Sequence, residues 1–279
     1  LFSAFVVIFC SSQILNAEDF KYLLDKALKS NSNIKSSEME VELAKEKGSI
    51  LTRYDNPIVD FNYSNYRLKE TKNKENGQGI SLTQKIIPWN VANDKERLSE
   101  ATIKNEVDKY NLDKQEFIKE LSIRYTIYAK SKSFLEVMKE SHKIAIKVYE
   151  ISNERYKVGA ISKAELLQSE IELMEIKKKK DELNLELMSN YYDLIKFAGI
   201  EETQNLDLDS NYKFKITNNT SLEKNPFINA EESKKEMLLA ESKLNSNVID
   251  SFDLTYSYSE EPDQVVNQIG ISLPLPIFN

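Results

Sequence analysis

The sequence contains few residues that interrupt helices. Its 279 residues include six glycines and six prolines, and none of them lies at 90–158 or at 160–198. Inside a helix, glycine costs about 1 kcal/mol and proline about 3 kcal/mol relative to alanine. The two uninterrupted segments are therefore predicted to form two long helices, with the break between them at Gly159.

Residues that build catalytic and metal sites are also scarce. The sequence has one cysteine, Cys10, and one histidine, His142. A nucleophile–histidine pair or a zinc site needs more groups than these two supply. His142 follows Met138 by four residues, a spacing that suits two soft metal ligands, but a polar position on a helix-packing face is the simpler interpretation. We predict no catalytic residue, no metal site and no cofactor.

The charge balance is mildly acidic and argues against nucleic acid as a partner. The chain has 38 basic and 45 acidic residues, a formal net charge of −7. Nucleic-acid-binding domains carry a basic surface instead. Runs such as Lys177–Lys180 and pairs such as Glu170 and Glu172 are typical of solvated helix faces.

Residues 1–17 resemble a secretory signal peptide whose front is missing. An apolar run leads to the small residue Ala17, as at a signal cleavage site, but no initiator Met or basic segment precedes it. A buried strand or helix is the alternative. Lipid attachment at Cys10 stays open, although Phe9 before it fits a lipoprotein site poorly. No other segment approaches the ~20 apolar residues of a spanning helix.

An internal repeat organises the rest of the chain. Gly79-Ile80-Ser81-Leu82 recurs as Gly270-Ile271-Ser272-Leu273, and each copy follows a charged helix, an alternating strand and a polar turn. The first repeat, 18–199, is predicted to hold helices at 19–30 and 34–54, a β hairpin at 58–87 with its turn at 69–76, and a helical hairpin at 90–198. A polar connector, 200–224, precedes the second repeat, 225–279, which has a helix at 228–247 and a β hairpin at 251–273.

The long helices carry the spacing of packed coils. From Val107 to Tyr156, apolar residues follow alternating steps of three and four, with Lys114, Lys132, His142 and Ser152 filling the gaps, which predicts supercoiling against neighbouring helices. The whole segment 90–158 would form a helix of about 100 Å. The returning helix has two apolar stripes and is predicted to touch neighbours on two sides, as a stave of a helical barrel does. Its first stripe comprises Ala164, Leu167, Ile171, Met174, Leu185, Met188, Tyr192 and Ile195. Its second stripe includes Leu166, Leu173, Ile176, Leu183, Leu187, Tyr191 and Leu194.

Each predicted strand has one apolar, aromatic-rich face and one polar face. This pattern suits either a transmembrane β-barrel, apolar face toward lipid, or hairpins that cover a soluble core. A secretion signal, the duplication and the lack of other apolar mass favour the barrel. Four strands are fewer than the about eight of the smallest membrane barrels, so other copies of the chain must complete it. The predicted lipid-facing residues are Phe61, Tyr63, Ile80, Leu82, Phe252, Leu254, Tyr256, Tyr258, Ile269 and Ile271.

This order of elements resembles the TolC family of outer-membrane efflux proteins. The resemblance is most specific at 155–162, Arg-Tyr-Lys-Val-Gly-Ala-Ile-Ser, followed by Glu165-Leu166-Leu167, and at 270–279. It implies a homotrimer in the outer membrane of a Gram-negative bacterium, with a twelve-stranded barrel in lipid and a periplasmic tunnel. A periplasmic adaptor and an inner-membrane pump are the implied partners. The implied adaptor-docking tip comprises Tyr156, Gly159, Ser162, Leu166 and Leu167.

The chain departs from the family because a second long helical hairpin is missing, so the second repeat is incomplete and no gating residue can be assigned. We expect that the sequence is a fragment; the alternative is a protein that cannot form a normal tunnel. The fold class is mainly α, with long antiparallel coiled-coil helices plus transmembrane β-barrel strands. The segment 84–89, Gln-Lys-Ile-Ile-Pro-Trp, resembles the heavy-metal-efflux branch, but metal, drug and protein cargo all stay open. A periplasmic adaptor and a structural coiled-coil protein are the rival interpretations. Trp89 fits either an interfacial girdle or packing at the barrel–tunnel junction.

Overall fold

The structure is a computed structural model that describes residues 20–67, 74–201, 206, 208–209 and 225–275. The predicted signal peptide with Cys10, most of the connector and residues 276–279 lie outside the described residues. In chain order, the elements are α1 (Phe20–Ser30), α2 (Ser32–Thr52), β1 (Ile58–Arg67), β2 (Lys74–Ile86), α3 (Trp89–Lys157), α4 (Lys163–Ala198), α5 (Pro226–Asn245), β3 (Phe252–Glu260) and β4 (Val265–Ser272).

The chain separates into two compact units. One comprises Leu1–Ser36 with Asp113–Asn219, and the other comprises Ser37–Leu112 with Thr220–Asn279. Helices α2 and α3 contribute residues to both units. The helical hairpin and connector therefore belong mainly to the first unit, and both β hairpins belong to the second.

Helix α3 is one unbroken helix of 69 residues, which confirms the prediction from the missing glycines and prolines. In the first unit, its buried positions follow the predicted spacing. The buried apolar residues of this stretch are Phe117, Leu121, Tyr125, Tyr128, Ala129, Leu135 and Ala145. Among the helices that the structure describes, none is both long enough and apolar enough to cross a membrane.

Aromatic side chains form the core of the first unit. Phe117 stacks on Phe197 of α4 at 5.2 Å between ring centroids, and Tyr128 lies 5.9 Å from Tyr191. Helix α1 adds Phe20, which meets Tyr125 edge to face at 5.3 Å. Such ring pairs stabilise the packing of α1, α3 and α4 by more than the hydrophobic burial of their surface alone.

Asn31 separates α1 from α2 and joins both to the end of α4. Its side-chain oxygen accepts hydrogen bonds from the backbone N–H groups of Asn33 and Ile34 at 2.9 and 3.2 Å, as an N-cap does. Its amide nitrogen donates to the Phe197 carbonyl at 2.9 Å. One side chain thus satisfies both the first N–H groups of α2 and a terminal carbonyl of α4.

Two described residues of the connector pack onto the helical hairpin. Leu206 and Leu208 are buried, and side chains of α3 and α4 hold their backbone. Lys132 donates to the Leu208 carbonyl at 2.7 Å, and the Leu206 N–H donates to the Tyr191 hydroxyl at 2.9 Å. The described part of the connector is therefore clamped onto the helical hairpin.

The second unit contains one antiparallel sheet with strand order β1-β2-β3-β4. Strands β2 and β3 pair although they belong to different repeats, so the two hairpins form a continuous surface. The predicted turn at 69–76 is wrong at its end, because β2 already begins at Lys74. Polar residues 74–78 pair with the end of β1, and this pairing overrides their low strand propensity.

Helices α2 and α3 approach closely at Gly48. A Cβ atom at this position would lie 2.2 Å from Ser99 Oγ, so only glycine fits without movement of Ser99. Helix α5 contacts α3 through the ion pair of Lys104 and Glu236 at 2.6 Å. Both contacts lie within the second unit.

Candidate functional site

The register of the sheet gives it two chemically distinct faces. Leu82 pairs with Val59 on one side and with Tyr256 on the other, and Tyr256 pairs in turn with Ile269. Cross-strand partners point to the same face. All ten residues predicted to face lipid therefore share one face, across both repeats.

This apolar face is uncovered in the single chain. Phe61 is 79% exposed, Ile269 is 75% exposed and Tyr63 is 67% exposed. Ile80, Leu82, Leu254, Tyr256, Tyr258 and Ile271 are exposed as well, and Phe252 at the strand start is half-buried. An apolar patch of this extent marks an interaction surface.

The opposite face is polar and rich in hydroxyl groups. Ser81 pairs with Asp60 and Ser257, and the hydroxyls of Thr83 and Thr255 lie 3.0 Å apart. Polar and charged side chains of this kind suit a surface toward water. The sheet thus has the two chemically different faces that the wall of a membrane barrel needs.

The predicted tip is a tight turn between α3 and α4. Gly159 has φ +74°, a left-handed conformation that favours glycine. The Gly159 N–H donates to the Tyr156 carbonyl at 2.9 Å, and the Ala160 N–H donates to the Arg155 carbonyl at 2.8 Å. This pair of bonds is a Schellman motif, which satisfies the last carbonyls of α3.

A capping box then starts α4, as the sequence predicts. Ser162 is the N-cap, and Glu165 accepts hydrogen bonds from the Ser162 backbone N–H at 2.7 Å and its hydroxyl at 2.9 Å. The backbone bond, and after it the hydroxyl bond, holds the pKa of the Glu165 carboxyl below its ordinary value. The turn is thus fixed at both helix ends while its side chains stay at the surface.

The five predicted tip residues occupy this turn and its flanking helical turns. Tyr156, Gly159, Ser162 and Leu167 are exposed, and Leu166 is half-buried. A Cβ atom at Gly159 would have no other atom within 4 Å. The tip therefore presents an open surface whose shape depends on its backbone rather than on its packing.

Sequence reasoning missed a second apolar stripe on α3, which we call the outer stripe. Its members are exposed and follow the same steps of three, four and seven as the buried face. They are Ile123, Ile127, Phe134, Val137, Ile144, Val148 and Ile151. The spacing of these residues already indicates a second stripe, but the aromatic residues of the buried face give the stronger pattern in the sequence.

Helix α4 shows the same division between two stripes. Its second stripe is buried or half-buried, and Tyr191 and Leu194 of this stripe pack toward α3 and the connector. Its first stripe is exposed from Ala164 to Tyr192, but its last member, Ile195, is buried. The hairpin accordingly covers one apolar face of each helix and leaves another uncovered, as expected for a stave with further neighbours.

A long helical hairpin together with a two-faced antiparallel sheet defines a class of protein, the outer-membrane channel with a helical extension. The pattern of one family, described as "Outer membrane efflux protein", matches residues 23–199. The chain therefore belongs to the outer membrane efflux protein family, the TolC family that the sequence resembles. Membership assigns the protein to the outer membrane, with a large periplasmic portion. Among curated proteins, no sequence matches the chain.

Solved channel structures share the fold. The CmeC outer membrane channel of Campylobacter jejuni is 21% identical with a TM-score of 0.66, and 92% of this chain covers 61% of that one. The VceC outer membrane protein of Vibrio cholerae is 10% identical with a TM-score of 0.71, at 93% and 68% coverage. The MtrE channel of Neisseria gonorrhoeae is 15% identical with a TM-score of 0.64, at 92% and 63% coverage. The chain thus spans about two thirds of these channels' length.

Proposed function

We propose that the protein is the outer-membrane channel component of a tripartite efflux or secretion system. It would be a passive conduit without catalysis, driven by its partners. The observation that carries the proposal is the two-faced sheet, because β2 and β3 join both repeats into one wall with an apolar and a polar side. In the family, such a wall surrounds an aqueous pore in lipid.

A homotrimer would complete the barrel. The described sheet has four strands, and its edge strands β1 and β4 each pair on one side only. An unpaired edge in lipid leaves backbone groups without partners, so the edges need strands from other copies. The uncovered stripes of α3 and α4 fit the same assembly, because sister helices would bury them.

The proposed partners are a periplasmic adaptor, an inner-membrane pump and outer-membrane lipid, without nucleic acid. The Gly159–Ser162 turn would be the docking tip for the adaptor, with Tyr156, Leu166 and Leu167 beside it. An adaptor or a purely structural coiled coil accounts less well for a four-stranded apolar sheet face. Cargo specificity would come from the pump.

Gly159→Val is expected to weaken adaptor binding more than membrane insertion. Valine at φ +74° is strained, because a branched side chain disfavours the left-handed region. The turn would reshape, while the sheet lies in the other unit and would not change. Adaptor binding is measured by cross-linking in cells that express the protein from its own gene, and insertion by recovery of heat-modifiable oligomers from outer membranes.

Gly159→Asn is the matched control, because asparagine tolerates the left-handed conformation. We expect it to retain adaptor cross-linking. An equal loss of cross-linking and of outer-membrane oligomers in Gly159→Val would count against a docking role for the tip. If the unaltered protein were not recovered from outer membranes at all, the proposal that it is an outer-membrane channel would be wrong.

A further inference from the structure

The sequence contains one tryptophan, Trp89, and it lies at the junction between sheet and helix. It is the first residue of α3 and comes three residues after the end of β2. Its side chain is 82% exposed, so it does not pack at the junction within this chain. Tryptophan combines a large apolar ring with a polar N–H and is enriched at membrane–water interfaces.

At the end of the sheet far from Trp89, polar side chains end the apolar face. Gln78 and Glu260 pair across β2 and β3, and the Gln78 amide donates to the Glu260 carboxylate at 3.4 Å. In register, Tyr63 lies opposite Gln78. Tyr258 follows one row closer to the helices, where it pairs with Ile80. Tyrosines therefore border the apolar face next to its polar limit.

The height of this face matches the apolar band of a membrane barrel. Eight residues of β2 separate Gln78 from Ile86, which is ~27 Å at ~3.4 Å per residue. A strand tilt of ~40° reduces this to ~21 Å along the membrane normal, against a band of about 25 Å in membrane barrels. Three residues beyond Ile86, Trp89 lies where the band ends.

We propose that Trp89 lies in the headgroup interface of the periplasmic leaflet, at the periplasmic edge of the lipid-facing surface of the barrel. This inference rests on the proposed function. The indole ring would rest among the first acyl carbons, and its N–H would donate to ester or phosphate oxygens of phospholipid. Tyr63 and Tyr258 would mark the opposite edge.

Continuity of the apolar surface supports lipid as the occupant. Leu273 and Leu275 continue the alternation of Ile269 and Ile271 past the end of β4, and both are exposed. The apolar face thus extends toward the helices to about the level of Trp89. Burial by a sister chain is the other possible outcome, and the experiment distinguishes it.

The test uses the intrinsic fluorescence of Trp89 in protein purified from outer membranes and reconstituted in phosphatidylcholine vesicles. Lipids brominated near the headgroup end of the acyl chain should quench Trp89 several-fold more than lipids brominated near the bilayer centre. Weak quenching by both lipids, or stronger quenching by the deep bromines, would overturn the inference.

Two variants in a Trp89→Phe background separate this inference from the proposed function. Tyr256→Trp, in the middle of the apolar face, should be quenched most by the deep bromines. Tyr156→Trp, at the tip, should not be quenched. If Tyr256→Trp is quenched and Trp89 is not, only the inference fails. If neither is quenched, the membrane barrel fails as well.

Discussion

Gly199→Ala is expected to destabilise the protein by about 1–2 kcal/mol for its left-handed backbone and by roughly 1–3 kcal/mol more for overpacking. Gly199 ends α4 with φ +69° in a Schellman motif. Its Cβ would lie 3.0 Å from the Asn31 Cα and 3.3 Å from the Asn31 backbone nitrogen. Backbone atoms cannot move aside as a flexible side chain can, so the junction of α1, α2 and α4 would open.

Gly159 supplies the matched comparison, because it ends α3 in the same motif without any neighbour. Alanine there should cost only the backbone term. Asparagine should be tolerated at 159, but at 199 it should be nearly as harmful as alanine, because the clash remains. Denaturant unfolding of the purified proteins, followed by circular dichroism, measures these differences. Equal costs at the two positions would contradict the close approach to Asn31.

Leu82→Arg is expected to cost about 2–4 kcal/mol of membrane stability, as for arginine near the middle of a bilayer. Leu82 lies between Val59 and Tyr256 on the apolar face of an inner strand. If this face meets lipid, the guanidinium of the new arginine would be transferred out of water with no acceptor to pair with it, which is costly. The yield of heat-modifiable oligomers in outer membranes, and their unfolding in lipid vesicles, should both fall.

Ser81→Arg is the control on the neighbouring residue of the same strand. Ser81 faces the polar side, where Asp60 lies directly across. Arginine there keeps access to water and gains a carboxylate, so oligomer yield should stay near that of the unaltered protein. A similar loss in both variants would mean that the strand, rather than its apolar face, is sensitive.

The sequence predicts most of the long elements, because their signals are local. The absence of glycine and proline at 90–158 suffices for an unbroken α3, and the alternation in 252–258 suffices for β3. The break at Asn31 was predicted only as a gap between helices, since one of the hydrogen bonds that fix it goes to Phe197, 166 residues away. Likewise, the early start of β2 at Lys74 depends on pairing with β1 rather than on residues 74–78.

When a helix has two apolar stripes, the sequence does not show which of them is buried by other parts of the same chain. On α4, the stripes that contain Leu167 and Leu166 have the same spacing, and on α3 the outer stripe repeats as regularly as the buried face. Contacts in the structure, such as those of Tyr128 with Tyr191 and of Phe117 with Phe197, show which faces meet. The Gly159 turn was predictable, by contrast, because the left-handed cap and the capping box lie within eight residues of each other.

The central claim is that the sheet separates lipid from water, and a spin-label scan along β3 tests it most directly. Single cysteines at 252–259, labelled in the protein reconstituted in lipid vesicles, report collisions with oxygen from the bilayer and with a water-soluble nickel complex. We expect strict alternation, with oxygen contact at the positions of Leu254, Tyr256 and Tyr258 and nickel contact at those of Asp253, Thr255 and Ser257. Uniform contact with nickel along the strand, or contact with neither reagent at the apolar positions, would contradict the claim.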